Sequence, residues 1–404
     1  GNKWADTEDM ALAMMWYDPA MAHSTKPLPI DFLMDSIDTI MMRNTWDTAE
    51  PTFVGIHAGE TNLDHSQLDG GSFIYENGGV RWAKEMGMGD YNSDGYWDSS
   101  ANGKRWNHFR SRAEAHSTII TSPSDKPDHI VNSVAPLTIV QQKPRGAIIS
   151  VDMTQLLYDV NSARRGFAFT DNRESLVIRD EISLAKGTDV LWFMITEANA
   201  EIDNANNTAI LYQAGRELKV EWASNADVEA SFGLAEALPT SPKQTDNYVP
   251  GQYKRLTLKA NTSGDYTLTV KLTPMTLDSA SPISQWDTSI DSWSIPDGEI
   301  PAKPMLDYVY VNGQTLDASK KTKLEYGVVE GEFAVPPAVS ASSDIYNVQI
   351  IQTDSYDKAA QIIVTDKNDA TNKTVYSIMP NIIKRPISFP GMTSIPVRGY
   401  EVSE

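Results

Sequence analysis

From Asp38 onward, apolar residues recur at every second position in short runs, and Gly, Asn or Asp closes each run. The runs include "TFVGIHAG", "GSFIYENGGVRW", "GFAFTDNRESLVIRDEI", "DVLWFMITEA", "TAILYQAGRELKVEW" and "DYTLTVKLTPM". A period of two puts successive side chains on opposite faces of a strand, and the turn residues between runs reverse the chain. Many short runs with no helical-period stretch between them imply consecutive antiparallel strands. The expected fold is therefore mainly β: a large antiparallel β-sandwich over residues 28–338. In "TAILYQAGRELKVEW" the Gln213-Ala214-Gly215 step between two runs predicts a hairpin.

The two ends differ from this pattern. Asp6 or Thr7 can cap a helix that carries Met10, Leu12, Met14, Trp16 and Tyr17 before Pro19 stops it. Apolar residues lie nearly all round this helix, which is how a helix packed inside a larger domain reads. Residues 1–27 are thus expected to be the remnant of a helical domain, with a linker. Near the other end, "AVPPAVSASSD" has linker composition, and "DIYNVQIIQTD" and "AAQIIVTDKNDATNKTVYSIM" predict a small β-domain over residues 339–404.

The 404 residues carry 34 Lys and Arg against 54 Asp and Glu, a formal net charge of -20. That balance opposes binding to nucleic acid or to anionic membrane, so an acidic ligand needs a local basic patch. No run approaches the ~20 consecutive apolar residues of a membrane span. The first residues show neither the basic flank nor the cleavage site of a signal peptide. Cysteine is absent, which removes disulfides and thiolate chemistry.

Against that acidic background, "KRWNHFRSRAEAH" stands out, because Lys104, Arg105, Arg110 and Arg112 crowd together ahead of His116. Guanidinium groups bind carboxylate and sulfate bidentately, so the cluster is a candidate anion site, with Trp106 as a neighbouring contact. The plain alternative is a solvated strand face that pairs with surplus acids. Four of the six histidines, His57, His65, His108 and His116, share this window with Trp82, Tyr91, Tyr96, Trp97 and Trp106. A third pattern, "DYNSDGYWD", spaces Asp90, Asn92, Asp94 and Asp98 like a calcium loop, but Ala101 stands where the bidentate glutamate belongs. A polar turn is the expected reading there.

Taken in order, "DHSQLDGGSF", "GVRWAKEMG", "YNSDGYW" and "RWNHFRSRAEAHSTI" resemble the core blocks of the heparinase II/III-like family of polysaccharide lyases. The similarity continues through "SARRGFAFTDNRESLVIRDEI" and "DVLWFMITEA", over roughly residues 35–275. The resemblance implies a helical toroid, then a β-sandwich of the super-sandwich type, then a small β-domain. It implies that His65 helps catalysis and that Gln67, Glu85 and His116 occupy the positions of a divalent metal's ligands, zinc in relatives. A neutral amide such as Gln67 is a poor zinc ligand. Two alternatives stay open: a weakened metal site, or a metal-free hydrogen-bonded cluster in its place.

The resemblance also implies a reaction, β-elimination in uronic-acid polysaccharides. A base removes the C5 proton, a second group neutralises the uronate carboxylate, and an acid protonates the leaving 4-oxygen. In such enzymes the acid/base tyrosine and the neutraliser come from the helical domain, so this chain is expected to be inactive without that partner. His65 is its expected catalytic residue, and Arg105, Trp106, Arg110 and Arg112 are its expected substrate contacts. A divergent, non-catalytic relative that binds glycans is the second expectation, favoured by Asp64, Gln67 and Glu85. Substrates of this size do not enter the cytoplasm intact, so a periplasmic or extracellular location is expected.

Overall fold

The computed structural model describes residues 28–383, apart from 62–64, 246–247, 278–279, 330–335, 356–357 and 371. The helix expected over the first 20 or so residues lies outside this range. Alternating burial appears where the sequence alternates. The strand Arg216–Ser224 buries Arg216, Leu218, Val220 and Trp222 and leaves the intervening side chains more open. Its hairpin partner is Thr208–Gln213, in a register that opposes Gln213 to Arg216. The two turn residues, Ala214 and Gly215, both take positive φ, 50° and 72°, as a tight two-residue hairpin turn requires.

Eight strands form the largest sheet. Their order across it is 199–203, 208–213, 216–224, 265–274, 175–184, 160–170, 146–152 and 137–143. A five-stranded sheet is ordered 31–34, 39–43, 53–57, 72–77 and 80–83, and a four-stranded sheet is ordered 229–234, 254–262, 188–196 and 119–121. The last two sheets are joined by a bond from Lys84 N to Ile195 O, 2.9 Å. One continuous apolar core draws on all three, through residues such as Ile56, Phe73, Phe167, Trp192 and Leu268. This is the expected antiparallel β-sandwich.

The middle of the large sheet does not alternate, because it is buried on both faces. Ser175–Leu184 is enclosed over almost its whole length. Its outer face is covered by the chain at Trp286, Ile290, Trp293 and Ile295, which pack on Ile148, Ala168 and Val177.

A second core gathers residues from Leu306 to Ile378. It unites the strands Tyr308–Val311 and Lys323–Val329 with Asn347–Ile351, Ala360–Thr365 and Lys373–Ile383. This second core takes in residues from Leu306 onward, on both sides of the 338/339 position drawn from linker composition. Part of that Pro-rich stretch is itself a strand, since Val339 and Ser340 pair with Val311 and Tyr310. Lys323–Val329 runs parallel to Lys373–Ile383, a departure from the antiparallel rule. No described helix is long and apolar enough to cross a membrane.

Candidate functional site

The segment that leads from His65 into the strand Ser72–Asn77 is pinned at several of its carbonyls. Arg105 donates to Ser66 O through Nε (3.2 Å) and Nη2 (2.7 Å). Thr118 Oγ1 donates to Gly70 O at 2.8 Å, and Arg165 Nη1 donates to Gly71 O at 2.9 Å. Arg165 is itself fixed by a bidentate pair with Asp180, 2.7 and 2.9 Å. Gly71 sits at φ +71°, and a Cβ there would meet Met153 Sδ at 2.6 Å. The Gly70-Gly71 step thus lets backbone pass where a side chain would not fit.

His65 itself is exposed and holds a left-handed backbone, φ 68°. Such a conformation is uncommon for a residue with a Cβ and persists only where its surroundings enforce it. The clamp on Ser66 O supplies that enforcement. The imidazole Nδ1 shares a hydrogen bond with Tyr91 Oη, 3.1 Å, and the Trp97 ring meets it edge-on at 5.1 Å. Trp97 Nε1 donates to Tyr91 O at 3.1 Å, which ties the two aromatic residues together. Both face outward, Trp97 55% exposed and Tyr91 36%. An exposed indole and phenol beside an imidazole make a platform on which the apolar face of a sugar ring can stack.

Arg105 connects this platform to the turn. Besides holding Ser66 O, it donates through Nη1 to Tyr96 O (2.7 Å), and its guanidinium lies 4.4 Å from the centre of the Tyr96 ring. It is buried, so it positions the wall and does not meet a ligand. Arg112 is wholly buried as well. Its donors go to Glu114 Oε1 (2.9 Å), Asp128 Oδ1 (2.5 Å), Trp106 O and Lys126 O. Burial pushes the Asp128 carboxyl up, and Arg112 pulls it back only part of the way, to about 7. Trp106 is 2% exposed and donates to Ser100 O. Arg105, Trp106 and Arg112, expected as substrate contacts, thus lie in the interior. The reason is that 3-10 turns at 104–107, 109–111 and 113–115 fold this stretch inward; it is not a solvated strand face. Arg110 differs. It is half-buried, donates to Met88 O at 2.7 Å and lies over Tyr248, with Met88 three residues ahead of Tyr91.

The expected metal ligands take another arrangement. Glu85 Oε2 lies 2.5 Å from His116 Nδ1, and His116 Nε2 donates to Arg110 O at 3.0 Å. Burial pulls the His116 pKa down, but the Glu85 carboxylate more than reverses this and holds it at about 9. An imidazolium with both N–H groups engaged has no lone pair for a cation. Gln67 is half-buried and, among the described residues, hydrogen-bonds to neither. Nor do three or more His, Asp or Glu side chains gather as a cation site among those residues. As arranged, Glu85 Oε2 and His116 are engaged with each other and with the backbone, while Glu85 Oε1 is buried without a partner among the described residues. In the calcium-like turn the carboxylates are engaged separately. Asp94 pairs with Lys104 at 2.8 Å, and Asp98 accepts from Ser100 Oγ and Lys104 N.

The profile described as "Heparinase II/III-like, C-terminal" matches residues 32–272. The chain belongs to the heparinase II/III-like family. Among solved structures, a mutant of the heparan sulfate lyase HepC from Pedobacter heparinus is similar at 12% identity and a TM-score of 0.50. The match covers 93% of this chain and 46% of that one. A heparinase III is similar at 13% identity and a TM-score of 0.48, covering 88% of this chain and 44% of that one. The chain thus spans less than half the length of the solved structures it matches. A comparison with curated proteins finds no match. Within this heparinase II/III-like sandwich, Tyr91 and Trp97 are the site residues that sequence reasoning passed over as site groups. Their signal was an aromatic pair in a Gly- and Asp-rich turn, where no core demands them.

Proposed function

We propose that this chain forms the β-sandwich wall of a polysaccharide lyase cleft and takes an acidic, uronate-containing glycan across the His65–Tyr91–Trp97 platform. The observation that carries this reading is an exposed imidazole held in strained backbone beside outward-facing aromatic rings. Nδ1 is occupied by Tyr91, and Nε2 has no partner among the described residues, so Nε2 is the ring's working atom. In β-elimination it serves as base at C5 or as the charge partner of the uronate. Positioned proton transfer contributes ~10²–10⁴-fold, and stabilising the developing carboxylate charge is a further large term. Arg110 is the arginine of the cluster best placed to meet a carboxylate, because Arg105 and Arg112 are spent inside.

The leaving-group acid and the neutraliser are assigned to a helical domain joined to this chain, and a periplasmic or extracellular setting follows from the polymeric substrate. A second reading, a glycan-binding relative without activity, is supported by one feature. His116 and Glu85 are committed to each other and to the backbone. The test is incubation with heparan sulfate, hyaluronan, chondroitin and alginate, with and without the helical domain joined, following the ultraviolet absorbance of the unsaturated uronate. Product with the joined protein supports the lyase reading. Binding without product from any of the four supports the second.

A further inference from the structure

A cavity of about 500 Å³ lies at the far end of the five-stranded sheet from His65. Strand pairing sets that separation. His57 opposes Ser72 at the His65 end, and the cavity is lined by Thr52, Asn77 and Gly78 at the other, where the sandwich meets Thr322 and Val375 of the terminal unit. Nothing in the lyase reading uses this space, and the inference drawn from it does not rest on that reading.

Three of its lining side chains are more than nine-tenths buried and carry a polar atom with no partner among the described residues: Trp82 Nε1, Arg216 Nε and Thr374 Oγ1. A buried N–H left unpaired destabilises the fold, and native structures keep few of them without a reason. Arg216 is not simply loose, because Nη1 donates to Val375 O (3.0 Å) and Nη2 to Thr322 Oγ1 (2.7 Å). Its Nε–H is thereby held in a fixed orientation. The carboxylate of Glu174 is no partner for a ligand, since Asn44, Thr52 and Asn77 already donate to it.

Charge decides what kind of ligand suits the space. Four carboxylates line it, from Asp47, Glu50, Glu174 and Glu217, against the cations Arg216, Lys303 and Lys373. A surplus of negative charge opposes an anion, while the fixed N–H groups call for neutral oxygen acceptors. Asp47 and Glu217 are exposed, so acceptors stand at the mouth and donors inside. A polyol answers both needs, with hydroxyl oxygens toward the indole and guanidinium and hydroxyl protons toward the outer carboxylates. The volume lies in the range of small-ligand sites. We propose that this cavity binds an uncharged sugar unit, a second carbohydrate site distinct in charge preference from the His65 platform.

The test titrates the full chain with cellobiose, lactose, maltose and di-N-acetylchitobiose, using a digalacturonate as the anionic control. Saturation-transfer NMR detects contact and calorimetry measures affinity. At least one neutral disaccharide is expected to bind saturably and more tightly than the digalacturonate. Its affinity is expected to fall about tenfold in Trp82→Phe, the loss of one buried hydrogen bond. Thr374→Val, which changes one hydroxyl for a methyl, provides the same reading if Trp82→Phe folds poorly. Absence of saturable binding by all four neutral sugars overturns the proposal. So does equal affinity in the folded variants, or preference for the anionic sugar.

Discussion

The half-buried Glu85 carboxylate and the buried His116 imidazole form a pair 2.5 Å apart, and His116 turns its other N–H to the Arg110 carbonyl. Burial alone would lower the His116 pKa; Glu85 raises it to about 9. In Glu85→Gln the main raising influence is gone while burial remains, and His116 is expected to titrate well below 9. Ring-proton NMR across the pH range checks this. The sign for stability follows from a folded pKa above the unfolded one. The contribution is complete below about pH 6.5, is lost as pH rises through 9, and amounts to something on the order of 3 kcal/mol. Urea unfolding at pH 6 and pH 10 should show the wild type losing stability and Glu85→Gln losing far less. A wild type equally stable at both would rule the pair out as an ion pair.

The two arginines flanking Ser111 should behave oppositely. Arg112→Met strips the partner from Glu114 and Asp128 in a fully buried network, which typically costs about 3–5 kcal/mol. Arg110→Met removes a half-buried group whose contact is one backbone carbonyl and a ring face, and should stay within about 0.5 kcal/mol of wild type. If Arg110 meets the uronate, the same variant binds acidic oligosaccharides more weakly. Chemical denaturation of both variants separates the roles, and an Arg112→Met protein of wild-type stability would contradict the scaffold assignment.

That contrast marks where sequence reasoning reached and where it stopped. The antiparallel sandwich was legible because period-two burial and turn residues act locally, as at Ala214-Gly215. The cation cluster was visible too, but its partners were not. Arg112 meets Asp128 16 residues away through a folded turn, and no local pattern predicts that pairing. The doubly buried strand Ser175–Leu184 read as one more alternating run, with no hint that Trp286 and Trp293 cover it. The extent of the second core was not legible for a related reason. Tyr308–Val311 has the same alternation as sandwich strands, and only packing assigns Val309 and Val311 to the second core. His65 stood out through its block of neighbouring residues, whereas its meeting with Tyr91 and Trp97 depends on how the intervening turn folds.

Gly71→Ala tests the turn beneath the site. The new Cβ would sit 2.6 Å from Met153 Sδ and 2.9 Å from Met153 Cε, and φ +71° disfavours alanine whatever the space. The backbone part costs roughly 1–2 kcal/mol, and displacing Met153 adds to it. The double variant Gly71→Ala/Met153→Ala should behave non-additively, since it removes the clash but keeps the backbone strain. Thermal and urea unfolding of the set measures both parts. Full recovery in the double variant would show that only the clash matters.

Tyr91→Phe isolates the hydroxyl that holds His65 Nδ1 at 3.1 Å while keeping a ring beside Trp97. The tautomer that the lyase reading requires is the one in which Nδ1–H donates to Tyr91 Oη, because only then does Nε2 keep a lone pair to act as base. Without the hydroxyl, the ring is free to exchange tautomers and to rotate. Nitrogen-15 NMR of the His65 ring should therefore show one tautomer dominating in the wild type and a mixture in Tyr91→Phe. In a protein joined to its helical domain, His65→Ala should lose about 10²-fold or more in turnover. Tyr91→Phe should lose roughly tenfold, with a displaced pH profile, as expected for a group that acts through another. Identical tautomer populations in the two proteins would show that Tyr91 only packs against His65, and the imidazole would then owe its orientation to Trp97 and the Ser66 clamp alone.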